Sequence, residues 1–115
     1  MKNLEQIRAA NALAKVGDLK RAAVSKLPAM ILGNGLLATA AFCRAEGGGE
    51  NRKDMKIAMD HTAAHLVDRD MIKKGLGTTD GLIQDLSQRK SIDLQRATSE
   101  ALAYISYLKR FAQKD

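Results

Sequence analysis

A single proline, Pro28, interrupts 115 residues, and nowhere does the chain keep up the polar–apolar alternation of a half-buried strand. Proline is the strongest helix breaker, costing about 3 kcal/mol in a helix interior. With one proline, eighteen alanines and few β-branched residues, this sequence is directed towards helix almost throughout. Asn34-Gly35 comes nearest to a hairpin turn, but its apolar flanks do not alternate. The expected fold class is all-α: a compact single-domain bundle of about five to six helices with short connections over residues 1–115. At this length there is room for one core and not for two.

Three- and four-residue spacing of apolar positions predicts the segments. A first helix over Asn3–Val16 places Leu4, Ile7, Ala10, Leu13 and Ala14 on one face, with Glu5, Arg8 and Lys15 off it. Gly17-Asp18 interrupts it, with Asp18 as N-cap for a second helix over Leu19–Leu32. Pro28 must kink that helix or begin a new one at its first turn. Gly33, Asn34 and Gly35 read as a helix stop. Beyond them Leu36–Ala45 is apolar on nearly all sides, as a central helix would be. Residues 46–51 carry three glycines between acids and read as a loop. A fourth helix is expected over Lys53–Lys74, a loop over 75–81 and a helical turn at Leu82–Leu86. A fifth helix capped by Ser91 then runs to Ala112.

Charge narrows the function. Nineteen Lys and Arg against thirteen Asp and Glu give +6, a bias towards polyanionic partners. Most of the surplus lies in residues 1–26, which hold six bases and two acids. The longest charge-free stretch, Leu27–Cys43, contains Pro28 and two glycines and sits at the short limit of the roughly 17–25 residues of a membrane span. MKNLEQIR opens without an apolar signal segment. One cysteine, Cys43, excludes an internal disulfide and fits a reducing compartment, so the expected location is cytoplasmic.

Catalytic and metal patterns are weak. His61 and His65 share a helix face, but Thr62 occupies the place of the metalloprotease glutamate and no third ligand is evident, so no metal or other cofactor is expected. Ser87-x-x-Lys90 has the spacing of a lysine-activated serine without its companion motifs. Gly33-x-Gly35 and Gly75-x-Gly77 lack the preceding strand of a phosphate loop. Cys43, in the most apolar segment, reads as a buried inert thiol. The chain is therefore expected not to be an enzyme. What remains is a basic surface whose candidates for RNA backbone contact are Lys109, Arg110, Lys20, Arg21, Lys26, Arg44, Lys53 and Lys56. Tyr104 and Tyr107 stand beside Lys109-Arg110 as candidates for stacking or a polar contact. With aromatics at 3%, recognition would be of phosphate, without sequence reading and steeply salt-dependent.

Two stretches together resemble a known family. Lys26-Leu27-Pro28-Ala29-Met30-Ile31-Leu32-Gly33-Asn34-Gly35-Leu36, running on to Ala41-Phe42, is similar to the K-L-P-x-x-I-x-x-N-G-L…A-F signature of the small Cmr subunit of type III-B CRISPR effector complexes. Ala101–Ala112 resembles that family's closing A-L-x-Y-L-x-W-L-K-R-F-A, with Tyr107 where tryptophan is common. The resemblance implies a non-catalytic subunit of an RNA-guided complex in antiviral defence. Its copies would stack on one another as a minor filament beside the backbone subunits that hold the guide RNA. A basic face would line the channel where target RNA pairs with the guide, and cleavage would belong to the backbone subunits. It also implies that Pro28, Gly33, Asn34 and Gly35 serve a structural bend. The alternative is a helical protein–protein adaptor or dimerisation module whose positive charge is incidental.

Overall fold

The structure is a computed structural model describing residues 2–45 and 48–114. Its helices are α1 (Leu4–Lys15), α2 (Arg21–Val24), α3 (Leu27–Asn34), α4 (Leu36–Arg44), α5 (Glu50–Asp68), α6 (Thr79–Leu86) and α7 (Ser91–Phe111). Six have eight or more residues and α2 is a single turn; among the described residues there is no strand, only an isolated bridge. The all-α bundle is as expected. A Cα radius of gyration of 13.0 Å matches the ~13 Å of a compact chain near this length.

Local chemistry explains the boundaries. The Asn3 side chain accepts the Gln6 N–H at 2.9 Å while Gln6 Oε1 accepts the Asn3 N–H at 2.9 Å, a reciprocal cap that starts α1. Pro28 resolves by beginning a helix, standing in the first turn of α3 where its missing N–H costs nothing. The expected second helix is thus two segments. Asp18 does not cap the first of these; Lys20 does, without a side-chain bond. Of the three residues expected to stop α3, Gly33 and Asn34 are still helical, and Gly35, at φ +96°, makes the break.

The core surrounds α5 and α7. Tyr104, Ile105 and Leu108 of α7 and Met59 and Leu66 of α5 are fully buried with Leu27, Leu36, Leu82 and Leu86. Each contributes roughly 1.5–3 kcal/mol by leaving water. Helix α4 is not central as expected. It buries Leu36, Thr39, Ala40 and Cys43, while Ala41 and Phe42 face outward. Helix α5 starts earlier and stops earlier than the sequence suggested: Asp70, at φ +61°, ends helical continuation well before Lys74. The loop expected from residue 46 lies partly outside the described residues, at 46 and 47.

Helix α6 gains a full first turn because the Thr78 hydroxyl accepts the Gly81 N–H at 3.0 Å. Gly81 packs so closely that a Cβ there would collide with the Leu76 carbonyl. The expected Ser91 cap of α7 is instead Lys90, without a side-chain bond. Helix α1 also turns differently. It buries Ala12 and half-buries Ile7 and Arg8, whereas Leu4, Ala10, Leu13 and Ala14 are exposed, Leu13 at 63%.

Candidate nucleic-acid interface

The start of α2 meets the end of α7. The Gln113 N–H donates to the Leu19 carbonyl at 3.0 Å, and the Arg21 N–H donates to the Gln113 carbonyl at 2.8 Å. These bonds lay the start of α2 along the end of α7, and the Lys20 N–H is held by Asp54 Oδ2 at 3.1 Å. Four candidates separated by about ninety positions in sequence, Lys20, Arg21, Lys109 and Arg110, are thereby gathered at one end of the bundle. Lys20, Lys109 and Arg110 are exposed, and among the described residues none of them makes an ion pair.

Arg21 has a second duty. Its Nη2 donates to the carbonyls of Arg110 at 3.1 Å and Ala112 at 3.2 Å, capping the orphan acceptors at the C-terminus of α7. A cation there also complements the negative end of the helix dipole. Its Nε is buried without a hydrogen-bond partner. Arg21, Ser106, Lys109 and Arg110 line an open cavity of about 500 Å³.

Arg44, Lys53 and Lys56 line a different groove of about 790 Å³ between α4 and α5, together with Arg52. Here the bases are threaded with acids. Arg44 Nε lies 2.9 Å from Asp80 Oδ1, and Lys56 Nζ lies 3.6 Å from Asp60 Oδ2. Asp60 in turn accepts the Thr79 N–H at 2.8 Å and hydroxyl at 2.6 Å, so its carboxylate also fixes α6. Arg52 lies 3.6 Å above the Phe42 ring centroid. Its position beside the glycine-rich segment hid this role in the sequence. Lys26 is exposed at the N-cap of α3 and lines neither cavity.

Tyr104 is not available for the stacking expected beside Lys109-Arg110. Tyr104 is fully buried, stacked on His65 with ring centroids 4.3 Å apart and planes at 14°. Burial raises its hydroxyl pKa, and that hydroxyl has no hydrogen-bond partner. Tyr107 donates instead to Glu5 Oε2 at 3.2 Å.

Helical spacing gave no sign of a buried polar network joining α1, α5 and α7. Arg8 grips Glu100 with two bonds, Nε to Oε2 at 2.8 Å and Nη2 to Oε1 at 2.7 Å. His65 Nε2 lies 2.8 Å from Glu100 Oε2. Asn11 Nδ2 donates to His65 Nδ1 at 3.0 Å and to Asp68 Oδ2 at 3.0 Å. An amide nitrogen can only donate, so Nδ1 accepts and Nε2 carries the proton given to Glu100. The imidazole is neutral; burial lowers its pKa against the pull of Glu100. Burial alone would raise Glu100, but hydrogen bonds from Arg8 and His65 hold it below the usual carboxylate range.

His65 is thus committed to Glu100 and Asn11. His61 is half-buried, with its pKa lowered by burial and by Lys15. Among the described residues no three His, Cys, Asp or Glu side chains converge as metal ligands. Cys43 is buried, its thiol pushed up to about 11 by desolvation. Among the described residues no helix is long and apolar enough to cross a membrane.

Searches of curated proteins and of solved structures return no match to this chain. The family model described as CRISPR-associated protein (Cas_Cmr5) matches residues 4–114, taking in both motifs and all seven helices, and the chain belongs to that family, the small subunits of type III-B CRISPR (Cmr) complexes.

Proposed function

We propose that this chain is a non-catalytic subunit that packs against its own copies and other effector subunits and neutralises RNA phosphates with the α2–α7 end. The observation that carries the reading is the gathering of Lys20, Arg21, Lys109 and Arg110 at that end, where the cavity lined by Arg21, Ser106, Lys109 and Arg110 has no carboxylate among its described lining residues. Base pairing with a guide supplies sequence specificity, so a companion subunit needs only backbone contact. The α4–α5 groove, with Asp80 and Asp60 already engaging Arg44 and Lys56, is the weaker candidate for RNA. Packing against neighbours is supported by the apolar positions that α1 and α3 turn outward, Leu13 and Leu32, the latter 75% exposed.

The test is fluorescence polarisation with a single-stranded RNA of arbitrary sequence across a salt series. Affinity should fall steeply with salt, with a log–log slope of about −0.7 per phosphate neutralised. The double reversal Lys109→Glu/Arg110→Glu should weaken binding about tenfold at low salt. Absence of binding at low salt, together with undiminished target capture by complexes carrying the double reversal, would refute the RNA reading and leave the adaptor.

A further inference from the structure

We infer that the cavity between α2 and α7 holds one phosphate group of the RNA backbone, with Ser106 forming part of its wall. The inference rests on the RNA reading above and narrows it from a basic surface to a defined pocket. Ser106, Lys109 and Arg110 are spaced i, i+3, i+4, so they rise from one face of α7. Arg21 closes the opposite side from α2. Three cations and one hydroxyl line the space, and among the described residues no carboxylate does.

Arg21 is not a loose surface charge. Its bonds to the Arg110 and Ala112 carbonyls fix the guanidinium, so little side-chain freedom remains to be lost when an anion arrives. The same bonds answer the carbonyls at the C-terminus of α7, which would otherwise repel an anion. Lys109 and Arg110 are exposed and close on the ligand from solvent. A guanidinium fork and an ammonium point charge are the usual donors to phosphate oxygens, and a serine hydroxyl adds a neutral one. The α4–α5 groove is lined by four cations, one more, but Asp80 stands in its lining beside Arg44.

The experiment places one negative charge in the pocket without touching any cation. Ser106→Asp is compared with Ser99→Asp, an exposed position two turns earlier on the same helix. Both variants are titrated against a single-stranded RNA decamer lacking terminal phosphates, by fluorescence polarisation. Ser106→Asp should weaken binding five- to tenfold and Ser99→Asp less than twofold. Equal losses from both would overturn the pocket while leaving diffuse RNA binding in place. A second arm titrates inorganic phosphate and follows the backbone amides of residues 106–110 by NMR. Saturable shifts in the wild type that vanish in Ser106→Asp support the pocket even if the decamer fails to bind, in which case the RNA reading falls alone. If neither decamer nor phosphate perturbs these residues, both fall.

Discussion

Two regions handle charge in opposite ways. In the interior, Arg8, Glu100 and His65 are each answered by a partner within 3 Å, and the polar atoms there tie α1, α5 and α7 together. At the α2–α7 end, Lys109 and Arg110 stand exposed with no ion pair among the described residues. A buried charge is tolerated only when paired, because an unpaired one forfeits its hydration. An exposed charge can stay unpaired at little cost, and it keeps its full attraction for an incoming anion. The first region therefore governs stability and the second association, so substitutions should separate along that line.

The largest effect should come from Glu100→Ala. Glu100 is 5% exposed, and its loss leaves Arg8 and His65 without their common acceptor. Breaking a buried pair from one side costs 3–5 kcal/mol; because Arg8 reaches solvent, about 3 kcal/mol is expected in urea unfolding. A loss below about 1 kcal/mol would mean the network does not hold the bundle. Arg21→Ala should cost about 1–2 kcal/mol, since two carbonyls at the end of α7 lose their donor. The neighbouring Lys109→Ala and Arg110→Ala should stay within about 0.5 kcal/mol of wild type. Arg21 thus belongs partly to each region, and equal costs for all three would erase the distinction.

The pH dependence sharpens the interior half. The pKa of His65 is lower in the folded protein than its ordinary value of 6.5. As pH falls below 6.5, the unfolded chain takes up a proton that the folded one resists, so His65's contribution is complete above that pH and is lost on acidification. His61 acts in the same direction, and Glu100, held below 4.5, adds a further loss at lower pH. Thermal midpoints should therefore fall from pH 7 to pH 5, and His65→Gln should flatten part of that decline. An unchanged slope in the variant would remove His65 from the account.

The helices and the family were legible because they are local: one proline, the glycine break, alternate three and four spacing, and two ordered motifs. The Pro28 start, one of two outcomes the sequence allowed, depends only on neighbours in the chain, as does the Asn3 cap, although Asn3 was expected inside the first helix. Partnerships between distant residues were not legible. Apolar spacing put Leu13 inside and Arg8 outside, yet Arg8 turns inward because Glu100, ninety-two positions away, waits there for it. Tyr104 looked available beside Lys109, but it lies under His65. Ser106 carried no signal until Arg21 was seen across from it. The basic candidates themselves were readable, and their division into two groups came only with the fold.

The central claim is that the uncompensated α2–α7 end meets RNA and the acid-threaded α4–α5 groove does not. It is tested most directly by reconstituting the effector complex with Lys109→Glu/Arg110→Glu or with Arg44→Glu/Lys53→Glu, two variants of equal charge change. The measurement is the yield of ultraviolet crosslinks from target RNA to this subunit in the assembled complex. The account predicts a loss of most crosslinking in the first variant and near wild-type yield in the second. Equal loss in both, or loss confined to the second, would contradict it.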